Sequence, residues 1–114
     1  MAASSVNYPL KLAVRPDLQA GARPGAERVG MTVSGLVGVL VWNDHLRPNY
    51  DLAALPNPEK VTRVDLTISL RRPLREFAEQ GARSRRMSLN AYLEALLAAH
   101  LDKPAGALII FPIL

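Results

Sequence analysis

Residues 64–101 read VDLTISLRRPLREFAEQGARSRRMSLNAYLEALLAAHL, and they carry one strand pattern followed by two helix patterns. Over residues 64–71 apolar and polar side chains alternate, which is typical of a half-buried strand. Pro73 suits the first turn of a helix, and apolar residues at helical spacing predict that helix over roughly 73–84. Ser88 is a favourable N-cap for a second helix, which we expect to end near Lys103-Pro104.

The same order of elements recurs 56 residues earlier, because residues 10–48 align without a gap on residues 66–104. Identical residues in this register include Arg15/Arg71, Leu18/Leu74, Ala22/Ala78, Gly25/Gly81, Ala26/Ala82, Met31/Met87, Leu40/Leu96 and Pro48/Pro104. A short unit used twice suggests a supersecondary element that buries its apolar face against its partner in the same chain. We therefore divide the chain into a degenerate first repeat (8–46), a linker (47–62), a second repeat (63–103) and an apolar C-terminal tail (104–114).

The first repeat has the weaker helix signals. Its first helix contains Gly21, Pro24 and Gly25, each of which is unfavourable inside a helix, so we expect this helix to be short, bent or replaced by irregular turns. Residues 36–42 are rich in β-branched valine and include a glycine, so on local pattern they could form a strand. The alignment with the strongly helical residues 92–98 favours a helix there instead.

Composition excludes several classes of protein. Hydrophobic residues make up 49% of the chain, which indicates a globular protein, and the absence of cysteine excludes disulfides and thiolate metal sites. The sequence shows no signal-peptide pattern, and the apolar run 107–114 is too short to cross a membrane, so we expect a cytoplasmic protein. The formal net charge of +4 is compatible with nucleic acid as a partner. Nine bases oppose six acids in residues 57–114, against five and four in residues 1–56.

Catalytic and metal-binding patterns are weak. Asp44 and His45 are neighbours on an expected helix, so their side chains point apart. Two histidines without cysteine are too few for a convincing transition-metal site, and no cofactor motif is present. We expect a protein that is not an enzyme. Trp42 and Tyr92 lie within apolar helix stripes and are expected in the core rather than as base-stacking platforms.

The segment Met87-Ser88-Leu89-Asn90-Ala91-Tyr92-Leu93 resembles the start of the second helix in the ribbon-helix-helix DNA-binding proteins, the group of Arc and MetJ. The strand that ends at Arg71 before a proline also fits that family. The resemblance implies a mainly α fold with a short antiparallel two-stranded ribbon, here with both repeats in one chain. That looks like the tandem variant found among plasmid conjugation accessory proteins and some regulators. The first repeat departs from the pattern with Thr32-Val33-Ser34, and the second with Arg86 where a glycine is usual.

If this resemblance holds, the ribbon enters the major groove of double-stranded DNA and its outer face reads bases. The candidate base-reading residues are Lys11, Ala13, Arg15, Thr67, Ser69 and Arg71. The starts of the second helices would bind phosphates through backbone N–H groups, with nearby arginines adding charge. The candidate phosphate-binding residues are Thr32, Val33, Ser34, Arg85, Arg86, Ser88, Leu89 and Asn90.

The biological process is left open between several alternatives. A transcriptional repressor, plasmid-borne, phage-borne or antitoxin-like and nucleoid-associated, is the first interpretation. A relaxosome or partition accessory protein that marks an origin is the second. The third is a protein-interaction module that has lost DNA binding and in which the apolar segment 106–114 contacts another copy or a partner protein, since so apolar a segment is poorly suited to water.

Overall fold

The computed structural model describes residues 7–56 and 60–101, and within them four helices pack on one two-stranded antiparallel sheet. The predicted C-terminal tail lies outside the described residues. The elements in chain order are β1 (Asn7–Val14), α1 (Pro16–Arg28), α2 (Val33–Leu46), β2 (Val64–Arg71), α3 (Arg72–Ser84) and α4 (Leu89–Leu101). The class predicted from the sequence, mainly α with a short antiparallel ribbon, is confirmed at this level.

The two strands form a ribbon with one buried and one exposed face. Lys11 pairs with Thr67 at its centre, and the register runs from Asn7 opposite Arg71 to Val14 opposite Val64. Because successive side chains of a strand point to opposite faces, the apolar alternation decides which face meets the helices. The inner face contributes the buried side chains Leu12, Val14, Ile68 and Leu70 to the core.

Each strand leads directly into a helix that has a proline in its first turn. Pro16 and Pro73 occupy early positions of α1 and α3, where the missing N–H has no intrahelical acceptor to lose. Both helices end in the same way. The Met31 N–H donates to the Ala26 carbonyl and the Met87 N–H to the Ala82 carbonyl, each at 2.9 Å.

The expectation of a short or irregular first helix is wrong, because α1 is a continuous helix of 13 residues. Its two glycines face Leu101 of α4. A Cβ on Gly25 would lie 2.6 Å from Leu101 Cδ2, and one on Gly21 would lie 3.5 Å from Cδ1. The glycines therefore permit a close approach of two helices, and this packing outweighs their low helix propensity. Pro24 is exposed.

The ambiguous segment 36–42 is helical, as the alignment predicted. It lies within α2, which packs against α3, α4 and β2. Leu36, Val37 and Val41 of α2 are buried together with Leu93 and Leu97 of α4. Residues 47–56 and 60–62, in the predicted linker, form no helix or strand. Among the described residues no helix is long and apolar enough to span a membrane.

Candidate nucleic-acid interface

The outer face of the ribbon carries most of the predicted base-reading residues. Lys11 and Thr67 lie opposite each other at its centre, and both are exposed. Ala13, Ser69 and Arg71 extend the face towards its two ends by strand alternation. The structure therefore brings five of the six candidates together on one surface.

The sixth candidate, Arg15, lies beyond the end of β1, as the N-cap residue of α1. Its guanidinium donates to both carboxylate oxygens of Asp17, from Nε at 3.1 Å and from Nη2 at 2.8 Å. This hydrogen bonding holds the pKa of Asp17 below its usual range. Arg71 lies two residues before Pro73. Its side chain forms no ion pair with any of the described residues. Arg71 is therefore better prepared to contact a ligand than Arg15.

Asp65 also lies on this face, although it is not among the residues predicted from the sequence. Asp65 lies opposite Ala13, and its carboxylate is 3.8 Å from the ammonium of Lys11. Both side chains are exposed, so the pair is weak. The period-two pattern that selected Thr67 and Ser69 also includes Asp65. A carboxylate here can accept from cytosine but repels phosphate, so it restricts which sequences the face could read.

A helix N-terminus lies against each edge of the ribbon. On the β2 edge the Ser69 N–H donates to Ser34 Oγ at 2.9 Å. On the β1 edge the Asn90 side chain bonds both backbone groups of Ala13: its Oδ1 accepts from the Ala13 N–H at 2.7 Å, and its Nδ2 donates to the Ala13 carbonyl at 2.9 Å. The starts of α2 and α4 are thus fixed beside the outer face, on opposite sides.

The first turns of α2 and α4 are capped as predicted. Thr32 Oγ1 accepts from the Gly35 N–H, and Ser88 Oγ accepts from the Ala91 N–H, both at 3.0 Å. The caps use the third N–H of each helix, and the two N–H groups before it have no intrahelical acceptor. These are the predicted phosphate donors, at Val33 and Ser34 in α2 and at Leu89 and Asn90 in α4.

Arg85 does not fit the predicted phosphate contact, because its guanidinium is buried within the fold. Its side chain is only 5% exposed, and its Nη2 lies 2.8 Å from Asp44 Oδ1. It also donates to the carbonyls of Asn49 and Gly81, and it lies over the Tyr92 ring at 5.4 Å. A buried arginine with these acceptors ties α3 to α2 rather than reaching for a ligand.

The same network buries a tyrosine. Tyr92 donates its hydroxyl proton to Asp44 Oδ2 at 2.6 Å and is 1% exposed, as expected for a core residue. Burial, with the Asp44 carboxylate beside it, raises the pKa of Tyr92 far above its usual range. Trp42 is half-buried in a ring cluster with His45 and Phe77.

Arg86, unlike Arg85, is exposed, and its backbone is left-handed with φ of 57°. The residue 56 positions earlier is Gly30, with φ of 75°. This conformation suits glycine and is strained for arginine. Arg86 therefore projects a charge from the turn before α4, close to the predicted phosphate donors, at a cost in backbone energy.

A second ion pair, between a buried carboxylate and a half-buried arginine, braces the β1 edge. Glu94 of α4 is 2% exposed, and its Oε2 accepts from Arg63 Nε at 3.1 Å. The same oxygen accepts from the Arg15 backbone N–H at 2.9 Å. The carboxylate thus anchors the junction between β1 and α1 and the chain leading into β2 onto α4.

Among residues 7–56 and 60–101, no group of three or more His, Asp or Glu side chains is arranged to hold a metal ion. No protein-family model matches the chain, and no similar curated protein or solved structure was found.

Proposed function

We propose that this chain is a tandem ribbon-helix-helix protein that binds double-stranded DNA sequence-specifically, with the ribbon of β1 and β2 in the major groove. The observation that carries the proposal is the placement of two helix N-termini along the two edges of an exposed, polar ribbon face. A two-stranded ribbon fits the major groove, and helix N-termini are suited to the phosphates that border it.

Several features of the first half of the chain recur 56 residues later in the structure, and this supports the tandem arrangement. The helix α3 begins and ends 56 residues after α1, and Gly30 and Arg86, two residues with left-handed backbone, have the same separation. The central pair of the ribbon, Lys11 and Thr67, consists of corresponding residues, so the register is symmetric about it. The contact of Ser34 with the Ser69 N–H corresponds to that of Asn90 with Ala13.

In this proposal each part of the surface has a separate role. Lys11 and Arg71 reach guanine O6 and N7, while Thr67 and Ser69 contact bases of either type and Ala13 offers a methyl group to thymine. The N-terminal turns of α2 and α4, with Arg86, contact phosphates and set the position of the ribbon without reading sequence. Asp65 favours cytosine opposite it. Arg85 is left out, and Arg15 contributes only if its pair with Asp17 opens.

The favoured process is transcriptional repression by occlusion of a promoter, in the cytoplasm at the nucleoid. A relaxosome or partition accessory role would use the same DNA complex at an origin. An interaction role for residues 106–114 concerns a segment outside the described residues, and we keep it as an addition to DNA binding rather than a replacement.

Selection of binding sites from a random duplex library tests the proposal. We expect the wild-type chain to enrich a short motif whose two halves differ, because the outer face is not the same at its two ends. The double variant Lys11→Ala/Thr67→Ala should fold, because both side chains are exposed, and should lose the preference at the centre of the motif.

The matched control is the variant Arg47→Ala. Arg47 is an exposed base at the C-terminal end of α2, whereas the N-terminal end of that helix meets the ribbon. This variant should retain the wild-type motif and nearly the wild-type affinity. The proposal is wrong if no motif is enriched at low salt, or if the central double variant selects the wild-type motif.

A further inference from the structure

An apolar groove of about 580 Å³ opens between α2, α3 and the end of β2. Its walls are mainly apolar, and they include Met31, Val39, Trp42, Leu70, Leu74 and Phe77. Its volume lies within the range of small-molecule sites, which are lined mostly by apolar groups with a few polar ones. The polar groups here belong to Ser34, Ser69 and Arg71.

The opposite edge of the ribbon shows what can occupy the corresponding place. There Glu94 projects from α4, and its carboxylate accepts the backbone N–H of Arg15 at 2.9 Å. The residue 56 positions before Glu94 is Gly38, which lines the groove and has no side chain. The chain thus supplies a carboxylate at one edge and leaves a space at the other.

The N–H group that such a carboxylate would accept is present in the groove. Arg71 has φ of −67° and ψ of 152°, close to the −59° and 142° of Arg15. The Ser69 N–H points away from β1 towards Ser34, and Arg71, two residues further along β2, directs its own N–H to the same side. The guanidinium of Arg71 adds a positive charge at this end.

The apolar wall also holds an unpaired donor. The indole Nε1 of Trp42, a residue that lines the groove, is buried and has no hydrogen-bond partner among residues 7–56 and 60–101. A buried donor without an acceptor is costly, and a bound polar group is one way to satisfy it.

We propose that this groove binds a small amphipathic monocarboxylate, such as a medium-chain fatty acid. The carboxylate accepts from the Arg71 N–H, as that of Glu94 accepts from the Arg15 N–H, and the hydrocarbon chain lies between α2 and α3. Because Arg71 also lies on the outer face of the ribbon, occupancy lowers DNA affinity. This regulatory consequence alone rests on the proposed function.

Binding is tested without DNA, by the fluorescence of Trp42, the single tryptophan of the chain, and by calorimetry. Decanoate, below its micelle concentration, should shift the emission and saturate. Decan-1-ol has the same hydrocarbon chain without the charge. Its affinity should be lower by at least roughly tenfold, as expected for the loss of a charge-assisted hydrogen bond. Absence of saturable decanoate binding, or equal affinity for the alcohol, overturns the proposal.

Gly38→Glu places the protein's own carboxylate in the groove and should abolish decanoate binding. A Cβ at this position lies 3.1 Å from Leu74 Cδ1, the end of a side chain that must shift slightly. The control with the same change of charge is Ala20→Glu, at an exposed position of α1. This variant should bind decanoate like wild type. Undiminished binding by folded Gly38→Glu contradicts the proposal. If that variant does not fold, the comparison of decanoate with decan-1-ol decides alone.

DNA enters only in a second stage. Decanoate should weaken wild-type binding to the selected duplex and leave that of Gly38→Glu unchanged. Decanoate binding by a chain that binds no DNA would contradict the proposed function but not the ligand site. DNA affinity that is insensitive to bound decanoate would overturn the regulatory part of the proposal.

Discussion

At each edge of the ribbon a strand is hydrogen-bonded to the start of a helix, but the β1 edge has more of these contacts than the β2 edge. At the β1 edge Asn90 bonds both backbone groups of Ala13, and Glu94, paired with Arg63, accepts the Arg15 N–H. At the β2 edge the Ser34 hydroxyl accepts from the N–H of Ser69, its one hydrogen bond within the described part of the chain, and Gly38 leaves an open groove.

One edge of the ribbon can therefore be structural while the other stays available to a ligand. Polar groups within the chain occupy the β1 edge, including the guanidinium of Arg15, which is paired with Asp17. At the β2 edge the corresponding arginine, Arg71, borders a groove that a ligand can enter. We expect the β1 edge to determine stability and the β2 edge to determine recognition.

The largest effect is expected when the β1 edge is broken. Glu94→Ala removes a buried carboxylate and leaves the Arg63 guanidinium and the Arg15 N–H without their acceptor. We expect the free energy of unfolding to fall by about 3 kcal/mol, measured by urea denaturation. Glu79→Ala, which removes the half-exposed partner of Arg75, should change it by less than about 0.5 kcal/mol. Similar losses in the two variants would mean that the Glu94 contacts do not brace the edge.

The next effect compares the two corresponding arginines in DNA binding. Arg71→Ala should weaken binding to the selected site by about 1–3 kcal/mol and relax the preference at one or two base pairs. Arg15→Ala should cost less, because in wild type its guanidinium must first leave Asp17. Titration of both variants against one labelled duplex measures the difference. Equal losses would show that the Asp17 pair does not restrain Arg15.

The two second helices, α2 and α4, should also differ in how they respond to pH. Tyr92 in α4 stands where α2 has Leu36, and its raised pKa means that the folded state holds the phenolic proton more tightly. Stability from this group is therefore complete below pH of about 10 and is lost as the pH rises, with a slope of up to about 1.4 kcal/mol per pH unit.

Tyr92→Phe should remove this contribution to the slope. Tyr50→Phe is the matched control, since Tyr50 is 76% exposed, and it should retain the wild-type slope in denaturation curves from pH 9 to 11. Identical slopes in wild type and Tyr92→Phe would show that the contact with Asp44 does not govern the titration.

The smallest expected effect concerns the turns that precede α2 and α4. Arg86→Gly relieves a strained left-handed arginine and should raise the free energy of unfolding by about 1 kcal/mol, whereas Gly30→Arg should lower it by about as much. In DNA binding Arg86→Gly should reduce the salt slope by about 1 without changing the selected motif. A stability gain with an unchanged salt slope would remove Arg86 from the proposed interface.

Local patterns were sufficient to predict the strands and the caps, whereas the helical assignment of α2 needed the alignment with residues 92–98. Period-two alternation gave the exposed face, and Thr32 and Ser88 were recognisable as caps from type and position. The full length of α1 was not predictable. Gly25 is favourable in this helix because it allows close packing against Leu101, which is remote in sequence. The burial of Arg85 was missed for the same reason: its acceptor Asp44 lies 41 residues earlier. Nothing local distinguishes Arg85 from its exposed neighbour Arg86.

Because β1 pairs with β2 within one chain, the amount of assembled ribbon depends on protein concentration differently from that of a ribbon made of two chains. A ribbon assembled from two separate chains exists only above their dissociation constant, so the active species rises with the square of a low protein concentration. Here the ribbon closes by an intramolecular contact, and the active species rises in direct proportion to the number of chains. Under the proposed function, occupancy of a site would respond gradually rather than at a threshold. A substitution would also alter one half of the reading surface alone, so the two halves can diverge independently.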